Sequence, residues 1–270
     1  MVKVGKVILA GLVLTAGAQA ETLKVTELDV DAIMVFGSAE VEISQEDDTV
    51  LRIRGDDDDL EKQPFYMRGS TLVLGDSRTH KGENFSGVKY KVSLPEFDRL
   101  ALSGSGDVYV KPFDLETLDV DVSGSGDIKF FSLNAEKVVL QVQGSGDIQV
   151  AELAAPIVEM LVAGSGDVSV GELDSEMVKV TISGSGDVDV KKSLAKASSL
   201  DANVIGGGEI DLAALDVNAA EVNVIGSGDI RIGEVGFVEV SIIGSGDIYY
   251  SGDPEIESNI LGSGNLNHRQ

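Results

Sequence analysis

Apolar and polar residues alternate along most of this chain with a period of two. In the segments that lead into a recurring glycine cluster, the even positions are apolar and most odd positions are polar or charged. Examples of the even positions are Leu118, Val120, Val122, Val138, Leu140, Val142, Val238, Val240 and Ile242. The alternation resumes after each cluster, as at Ile128 and Phe130. This pattern is typical of strands with one buried face, because successive side chains of a strand point to opposite sides.

The glycine clusters have the sequence Gly-Ser-Gly-Asp and recur at nearly constant spacing. Seven copies begin at Gly104, Gly124, Gly144, Gly164, Gly184, Gly226 and Gly244. Two altered copies begin at Gly206, where Glu209 replaces the aspartate, and at Gly262, where Asn265 replaces it. Successive copies start 20, 20, 20, 20, 22, 20, 18 and 18 residues apart. Each cluster therefore reads as the corner of one structural repeat.

The repeat predicts an all-β fold, a parallel β-helix or solenoid of about nine coils. A coil of about 20 residues has no room for a crossover helix, so neighbouring coils are expected to pair in parallel about 4.8 Å apart. The general rule for parallel crossovers predicts a right-handed coil. A leucine-rich repeat fold is disfavoured because the chain lacks the asparagine signature of those repeats. A propeller is disfavoured because each of its blades needs about 40 residues.

One domain is expected over residues 21–270, with an irregular part at 23–100 and regular repeats at 101–270. The segment from Val35 to Ile43 resembles a worn copy of the corner and its strand. Further strands are predicted at residues 50–53, 72–74 and 88–92. The polar tail that begins at Asn265 is expected to blunt the last coil against edge-to-edge association.

Residues 1–20 have the plan of a secretory signal peptide. Lys3 and Lys6 precede a short apolar run, and Ala18-Gln19-Ala20 supplies a small-residue cleavage site. The run is too short to cross a membrane, and no cysteine follows it for a lipid anchor. Export is therefore predicted, to the periplasm, the outer surface or the medium, with no membrane span in the mature protein.

The net charge of the chain restricts the kinds of partner that it can bind. Acidic residues number 46 against 21 basic ones, which gives a formal charge of −25 at pH 7. Such a surface repels nucleic acid and anionic lipid and attracts cations and basic partners. Hydrophobic residues nevertheless make up 43% of the chain, and cysteine is absent. Stability must come from packing and backbone hydrogen bonds, without disulfides.

The glycines of each corner are expected to serve structure, because they allow positive φ and a tight turn. They are Gly104, Gly106, Gly124, Gly126, Gly144, Gly146, Gly164, Gly166, Gly184, Gly186, Gly226, Gly228, Gly244 and Gly246. The serine and aspartate of each corner can accept hydrogen bonds from turn amides.

Stacked corners would also place the aspartates in a ladder, with Glu209 between its two parts. Its aspartates are Asp107, Asp127, Asp147, Asp167, Asp187, Asp229 and Asp247. Like charges about 5 Å apart repel by roughly 1 kcal/mol even in water, so amide hydrogen bonds, raised pKa values or bound cations must offset the repulsion. Calcium suits such oxygen ligands and is kept as a metal hypothesis, although the nine-residue calcium β-roll motif is not matched.

No catalytic set emerges from the remaining polar residues. Acidic runs at residues 46–48 and 56–59 are interpreted as solvated loops. His80 and His268 are far apart in sequence. The lysines at 191, 192 and 196 fall in the one longer return segment and are also interpreted as a solvated loop. We therefore expect no enzyme and no cofactor.

With these features in place, the chain resembles the bacterial family called putative auto-transporter adhesin, head GIN domain. The matching features are the serial Gly-Ser-Gly-Asp corners, the lead-in from Val88 to Pro95 and the terminal motif from Gly246 to Pro254. The resemblance covers about residues 28–267 and implies an exported β-helical protein with an adhesion role. It carries over no catalytic residues, and we expect this chain to have no translocator barrel of its own.

Three functions remain open from the sequence. The first is a non-enzymatic binding or adhesion module of the envelope or cell surface, with a protein or glycan ligand. The second is a calcium-binding structural scaffold. The third is a polysaccharide-cleaving β-helix enzyme, which would need paired carboxylates at one distinct place rather than in every coil.

Overall fold

The computed structural model describes residues 21–269, so the predicted signal peptide lies outside the described residues. Seven strands and one short helix precede the regular repeats: β1 (Glu21–Thr26), β2 (Ala32–Gly37), β3 (Glu40–Gln45), β4 (Val50–Gly55), α1 (Asp57–Glu61), β5 (Phe65–Arg68), β6 (Thr71–Leu74) and β7 (Lys89–Leu94). No helix in the described part of the chain is long and apolar enough to span a membrane.

The regular repeats contain the remaining strands. They are β8 (Arg99–Gly104), β9 (Asp107–Val110), β10 (Phe113–Asp114), β11 (Thr117–Gly124), β12 (Asp127–Phe130), β13 (Leu133–Asn134), β14 (Lys137–Gly144), β15 (Ile148–Ala154), β16 (Ile157–Gly164), β17 (Val168–Asp174), β18 (Met177–Gly184), β19 (Val188–Ser193), β20 (Ala197–Gly206), β21 (Glu209–Leu212), β22 (Val217–Gly226), β23 (Asp229–Gly244), β24 (Ile248–Ser251), β25 (Glu255–Gly262) and β26 (Leu266–His268).

These strands form two parallel sheets that share the core. We call the strands that lead into the corners sheet 1, and the strands that leave the corners sheet 2. In sheet 1, Val120 lies beside Leu140, which lies beside Met160, so each step along the rod advances one repeat. The all-β solenoid predicted from the sequence is confirmed, with about eight turns. Its handedness stays a prediction.

The core consists of the apolar residues at alternate positions, as the pattern predicts. Val120, Leu140 and Met160 are each no more than 1% exposed, and one hydrophobic cluster extends from Val25 to Ile248. The leucines of the return segments, Leu133, Leu153, Leu173 and Leu215, are also buried. The longer return differs, because Ser193 takes the place of Leu173 and Leu194 is 54% exposed.

The worn corner near Val35 is confirmed as the first coil of the rod. Strand β2 pairs in parallel with β8, with Gly37 opposite Gly104, and β3 pairs with β9. The chain then leaves the rod and builds a cap before returning to β8. In the cap, β4 pairs antiparallel with both β1 and β7, and β5 forms an antiparallel hairpin with β6.

The cap also buries a tyrosine. Tyr90 is 1% exposed, and its hydroxyl donates to the Pro64 carbonyl at 2.9 Å. Burial raises the pKa of Tyr90 well above its ordinary value of 10.0. The neutral phenol is therefore part of the packed cap.

Three local expectations are wrong. The acidic run at 56–59 contributes to α1, because Asp57, Asp58 and Asp59 occupy its first turn, where the helix dipole favours carboxylates. Lys191 and Lys192 belong to β19, since β19 continues its parallel pairing with β17 through them. The described part of the polar tail forms β26 on β24, so it leaves β25 of sheet 1 uncovered.

Candidate functional site

The corners lie over one another, and their glycines are required by close backbone approach. Ser125 and Gly126 both donate backbone N–H groups to the carbonyl of Gly104, at 2.9 and 3.1 Å. Gly124 has a φ of +135°, and a Cβ there would collide with the Gly104 carbonyl. A Cβ on Gly126 would collide with the Gly106 carbonyl in the same way. Both glycines of the corner therefore serve the stacking of the coils.

The corner aspartates form a ladder that is held by backbone amides. The Oδ1 atom of Asp127 accepts the N–H of Asp147 at 3.1 Å, and Oδ1 of Asp147 accepts the N–H of Asp167 at 2.9 Å. The series continues through Asp187 to the N–H of Glu209, each bond being 2.8 Å. The acceptor thus bonds an amide of the next coil rather than an amide of its own turn.

The ladder is interrupted at Glu209, whose carboxylate instead binds the guanidinium of Arg231. A second run follows, in which Asp229 accepts the N–H of Asp247 and Asp247 accepts the N–H of Asn265, both at 2.8 Å. Asp107 does not accept the corresponding bond from the next coil, because the Asp127 N–H donates to the Gly106 carbonyl instead, at 3.2 Å.

These amide bonds supply one of the three forces that could offset the repulsion along the ladder. A hydrogen bond to a charged acceptor contributes about 1.5–3 kcal/mol, which exceeds the repulsion of roughly 1 kcal/mol between neighbouring carboxylates in water. Among residues 21–269, no group of three or more histidine, cysteine, aspartate or glutamate side chains is arranged to hold a metal ion. Calcium binding by the ladder stays an untested hypothesis.

The other polar candidates are dispersed. Lys191 forms an ion pair with Asp189 at 2.8 Å, which raises the pKa of the Lys191 ammonium, and Lys192 pairs with Glu172 at 2.9 Å. Lys196 is exposed in the turn that follows β19. The two histidines lie in different elements, His80 in the loop after β6 and His268 in β26.

The outer surface of sheet 1 changes character in its last four coils. The residue just before the first glycine of each corner is exposed and apolar in these coils: Ile205, Ile225, Ile243 and Leu261. These four side chains are 47–60% exposed and lie in one column, since each is paired with the next. In the preceding coils the same column holds Ser103, Ser123, Gln143, Ala163 and Ser183.

An amide column and an acidic column run parallel to the apolar one. The amide column consists of three asparagines and one serine, Asn203, Asn223, Ser241 and Asn259, and the acidic column consists of Asp201, Glu221, Glu239 and Glu257. The Asn223 side chain donates to the Asn203 side chain at 3.1 Å, which ties neighbouring coils together. We call the three columns over these four coils the striped face.

Within residues 21–269, lysines pair with the acidic column only as far as Asp201, the first acidic residue of the striped face. Lys137 pairs with Glu159 at 2.7 Å, and Lys179 pairs with Asp201 at 2.8 Å. Hydrogen bonding to Asp201 raises the pKa of the Lys179 ammonium. No lysine or arginine lies in the column from Asp201 to Glu257. Stacked carboxylates about 4.8 Å apart therefore leave a negative strip that attracts cations.

A groove of about 420 Å³ lies along the other side of the acidic column. It exists because the outward column there changes size: Ile157 and Met177 are followed by the small Ser199 and Ala219, and then by Phe237. The small residues form the floor between larger apolar walls. The groove thus adds an apolar trough to the negative strip.

The apolar column could have been predicted from the sequence, but the alternation of buried and exposed positions alone did not indicate it. In the first five Gly-Ser-Gly-Asp corners a polar or small residue precedes the glycine, whereas Val-Ile-Gly occurs at 204–206 and 224–226. Two adjacent β-branched residues break the alternation, so the second one must point to solvent. Three consecutive coils therefore carry an exposed isoleucine at this position.

A family profile described as "Putative auto-transporter adhesin, head GIN domain" matches residues 29–195 and 192–254. The chain belongs to this head GIN domain family. The resemblance inferred from the corners and the terminal motif is therefore confirmed. Membership suggests a cell-surface or exported protein with an adhesion-type role. No curated protein matches the chain.

Solved structures show the same fold as this head GIN domain protein. A protein from Parabacteroides distasonis, described as a putative lipid binding protein, is 26% identical, with a TM-score of 0.68 over 94% of this chain and 98% of that chain. A putative adhesin from Parabacteroides merdae is 20% identical, with a TM-score of 0.67 over 94% and 97% of the two chains. One from Bacteroides fragilis is also 20% identical, with a TM-score of 0.54 over 94% and 98%.

Proposed function

We propose that this protein is an exported, non-enzymatic binding module of adhesin type, and that the striped face with its groove holds an extended partner. The observation that carries the proposal is the change of the outer surface at Ile205. From Ile205 on, an apolar side chain recurs in every coil, and from Glu221 on, a carboxylate with no ion pair among the described residues recurs beside it. A surface that repeats at about 4.8 Å suits a ligand that is itself extended, because successive groups of the ligand meet successive coils.

The chemistry of the striped face favours a basic and partly apolar protein segment. Glu221, Glu239 and Glu257 present negative charge, and Ile225 and Ile243 present apolar surface beside it. A segment in which lysine or arginine alternates with apolar residues would satisfy both columns. An anionic lipid headgroup is disfavoured by the same negative strip, since like charges repel.

The repeating arrangement of the acidic groups supports binding over catalysis. A glycosidase needs two carboxylates with different environments at one place, one to donate a proton and one to act as base or nucleophile. The carboxylates of the striped face stand instead in equivalent positions in every coil. Such equivalence suits the summation of many weak contacts along a ligand.

The test is a binding titration with a short labelled peptide in which lysine alternates with isoleucine, followed by fluorescence anisotropy. The matched control peptide carries glutamate in place of lysine. We expect binding of the lysine peptide only. The double variant Glu221→Gln and Glu239→Gln should weaken it about tenfold, since two exposed ion pairs contribute up to about 1 kcal/mol each.

The control variant changes acids on the same sheet outside the striped face. Asp119→Asn with Asp121→Asn removes two outward carboxylates from β11, and it should leave the affinity unchanged. Ala219→Leu fills the floor of the groove and tests the trough separately. Equal binding of the two peptides, or equal affinity of both double variants, would overturn the proposed surface. A parallel array of amino-sugar glycans would then identify a carbohydrate ligand.

A further inference from the structure

The two ends of the rod are built differently. At the N-terminal end, sheet 1 finishes in the β5–β6 hairpin, where Phe65 is only 9% exposed. The guanidinium of Arg78 donates to the backbone carbonyl of Met67 in β5, so this edge strand is engaged by the cap's own loop. The N-terminal edge of sheet 1 is thus capped by the chain itself.

The C-terminal end of sheet 1 is open. Among residues 21–269, strand β25 is the last strand of sheet 1, and all eight of its residues are exposed. Ile256 continues the core column of Val238, and Ile260 continues that of Ile242. Val238 and Ile242 are fully buried, whereas Ile256 and Ile260 are each 38% exposed. Two positions of the core column therefore lie at the surface.

The same inward residues carry the free backbone groups of the edge. In sheet 1 the outward residue Asp119 donates its N–H to the carbonyl of Asp98 in the preceding coil, and Met177 donates to Pro156 in the same way. Outward residues thus bond backwards and inward residues bond forwards along the rod. By this register, Ile256, Ser258 and Ile260 direct their N–H and C=O groups beyond β25. Such a row of unpaired groups is a template for another strand.

The sequence of β25 is complementary to itself. We propose that β25 pairs antiparallel with β25 of a second copy of this chain, about a two-fold axis through Ser258. This register places Ile256 opposite Ile260 of the second copy on the inner face. On the outer face it places Glu255 opposite Leu261 and Glu257 opposite Asn259. Carboxylates are therefore never directly opposite one another, although the chain as a whole is strongly acidic.

The hydrogen-bonding groups fit this register as well. Residues directly opposite one another in an antiparallel pair exchange both N–H···O=C bonds at every second position. Ile256, Ser258 and Ile260 are spaced two apart and all direct these groups outwards, so each can exchange both bonds with its counterpart. The contact is isologous and closes after two copies, whereas a contact between the open end and a closed end would build a filament.

Pairing of this kind would also extend the striped face. The two-fold axis of an antiparallel pair is normal to the sheet, so the outer surfaces of both copies of sheet 1 face the same way. The dimer would then present two striped faces side by side to one extended partner, which increases avidity without new contacts. The pairing itself depends only on β25.

Sedimentation velocity and light scattering on the mature protein test the proposal, with added salt to screen the repulsion between two acidic copies. The wild type should show twice the monomer mass. Ser258→Pro should show the monomer mass, because proline removes an N–H at the free edge while leaving the bonds to β23 intact. The matched control Ser258→Ala keeps the N–H and should remain dimeric.

Two further variants distinguish pairing from misfolding and from the ligand surface. Ile256→Lys places an inward charge on the edge and should also give a monomer, with an unchanged circular dichroism spectrum. Ile225→Lys alters the striped face. It should leave the dimer intact and weaken the binding of the lysine peptide. A monomeric wild type at the highest concentrations tested, a filament, or a dimer that survives both Ser258→Pro and Ile256→Lys would overturn the proposal.

Discussion

The carboxylate of Asp167 accepts the backbone N–H of Asp187 at 2.8 Å, across the gap between two coils that are twenty residues apart in the chain. The Asp167 N–H is in turn held by Asp147 at 2.9 Å. Each aspartate of this run is both acceptor for the next coil and donor to the previous one. The ladder is therefore a hydrogen-bonded column along the edge of the solenoid.

Two substitutions of Asp167 distinguish the contribution of its hydrogen-bond acceptor to stability from the effect of its negative charge. Asp167→Ala should lower the free energy of unfolding by about 1–2 kcal/mol, because the Asp187 amide loses its partner. Asp167→Asn keeps an oxygen acceptor and removes a repelling charge, so its stability should equal that of the wild type or exceed it by up to about 1 kcal/mol. Urea unfolding measures both. Equal losses for the two variants would show that the charge itself is required.

The glycines of one corner give a matched pair of substitutions. A Cβ on Gly208 would collide with the Gly186 carbonyl, so Gly208→Ala should cost at least about 2–3 kcal/mol. A Cβ on Gly207 would meet only the Ser227 hydroxyl oxygen, at 3.6 Å, an ordinary contact. Gly207→Ala should therefore be neutral or stabilise by up to about 1 kcal/mol. Thermal melting of both variants decides; similar losses would mean that the corners do not stack as described.

Calcium should leave the stability of the protein unchanged. The ladder carboxylates already use one oxygen for an amide, and the repulsion that a cation would relieve is offset by those bonds. Melting curves with added calcium and with a chelator should coincide, and calorimetry should show no heat. A higher melting temperature in calcium that is abolished by Asp167→Asn would instead establish the scaffold function.

Alkaline pH should destabilise the cap through Tyr90. Burial raises the pKa of its phenol above the value of 10.0 that applies in the unfolded chain, so above that pH the unfolded state binds fewer protons than the folded state. Stability from this group is fully present below pH 10.0 and is lost as pH rises beyond it.

Tyr90→Phe tests this assignment. The variant loses the hydrogen bond to the Pro64 carbonyl, which should cost about 1 kcal/mol at neutral pH. Its stability should then fall less steeply than that of the wild type between neutral pH and about pH 11. Urea unfolding over this range gives both quantities, and parallel pH profiles would assign the alkaline loss to other groups.

Local patterns were sufficient to predict the repeating part of the fold. The alternation at Val120 and Val122 marked the buried face, and the glycine spacing set the register between coils. The cap was predicted only as isolated strands. Its antiparallel pairing joins Leu23 to Ile53 and Ile53 to Tyr90, and such long-range partners leave no mark in a local pattern.

The candidate site was predictable to a smaller degree. The aspartate column followed from stacking, but the direction of its bonds depends on where the next coil places its amide. The striped face depends on which outward positions align, so it became visible only once Ile205 and Ile225 were known to be neighbours. The groove arises from the sizes of Ser199 and Ala219 relative to Met177, a comparison between coils.

Because one end of the rod is locked by its cap and the other ends in a bare strand, a pull on the C-terminus would load the coils one after another. Each coil is held mainly by its immediate neighbours, so tension would peel it away alone. Every step would release about 20 residues, roughly 70 Å of extended chain. Under tension the molecule would therefore lengthen in small increments instead of unfolding all at once.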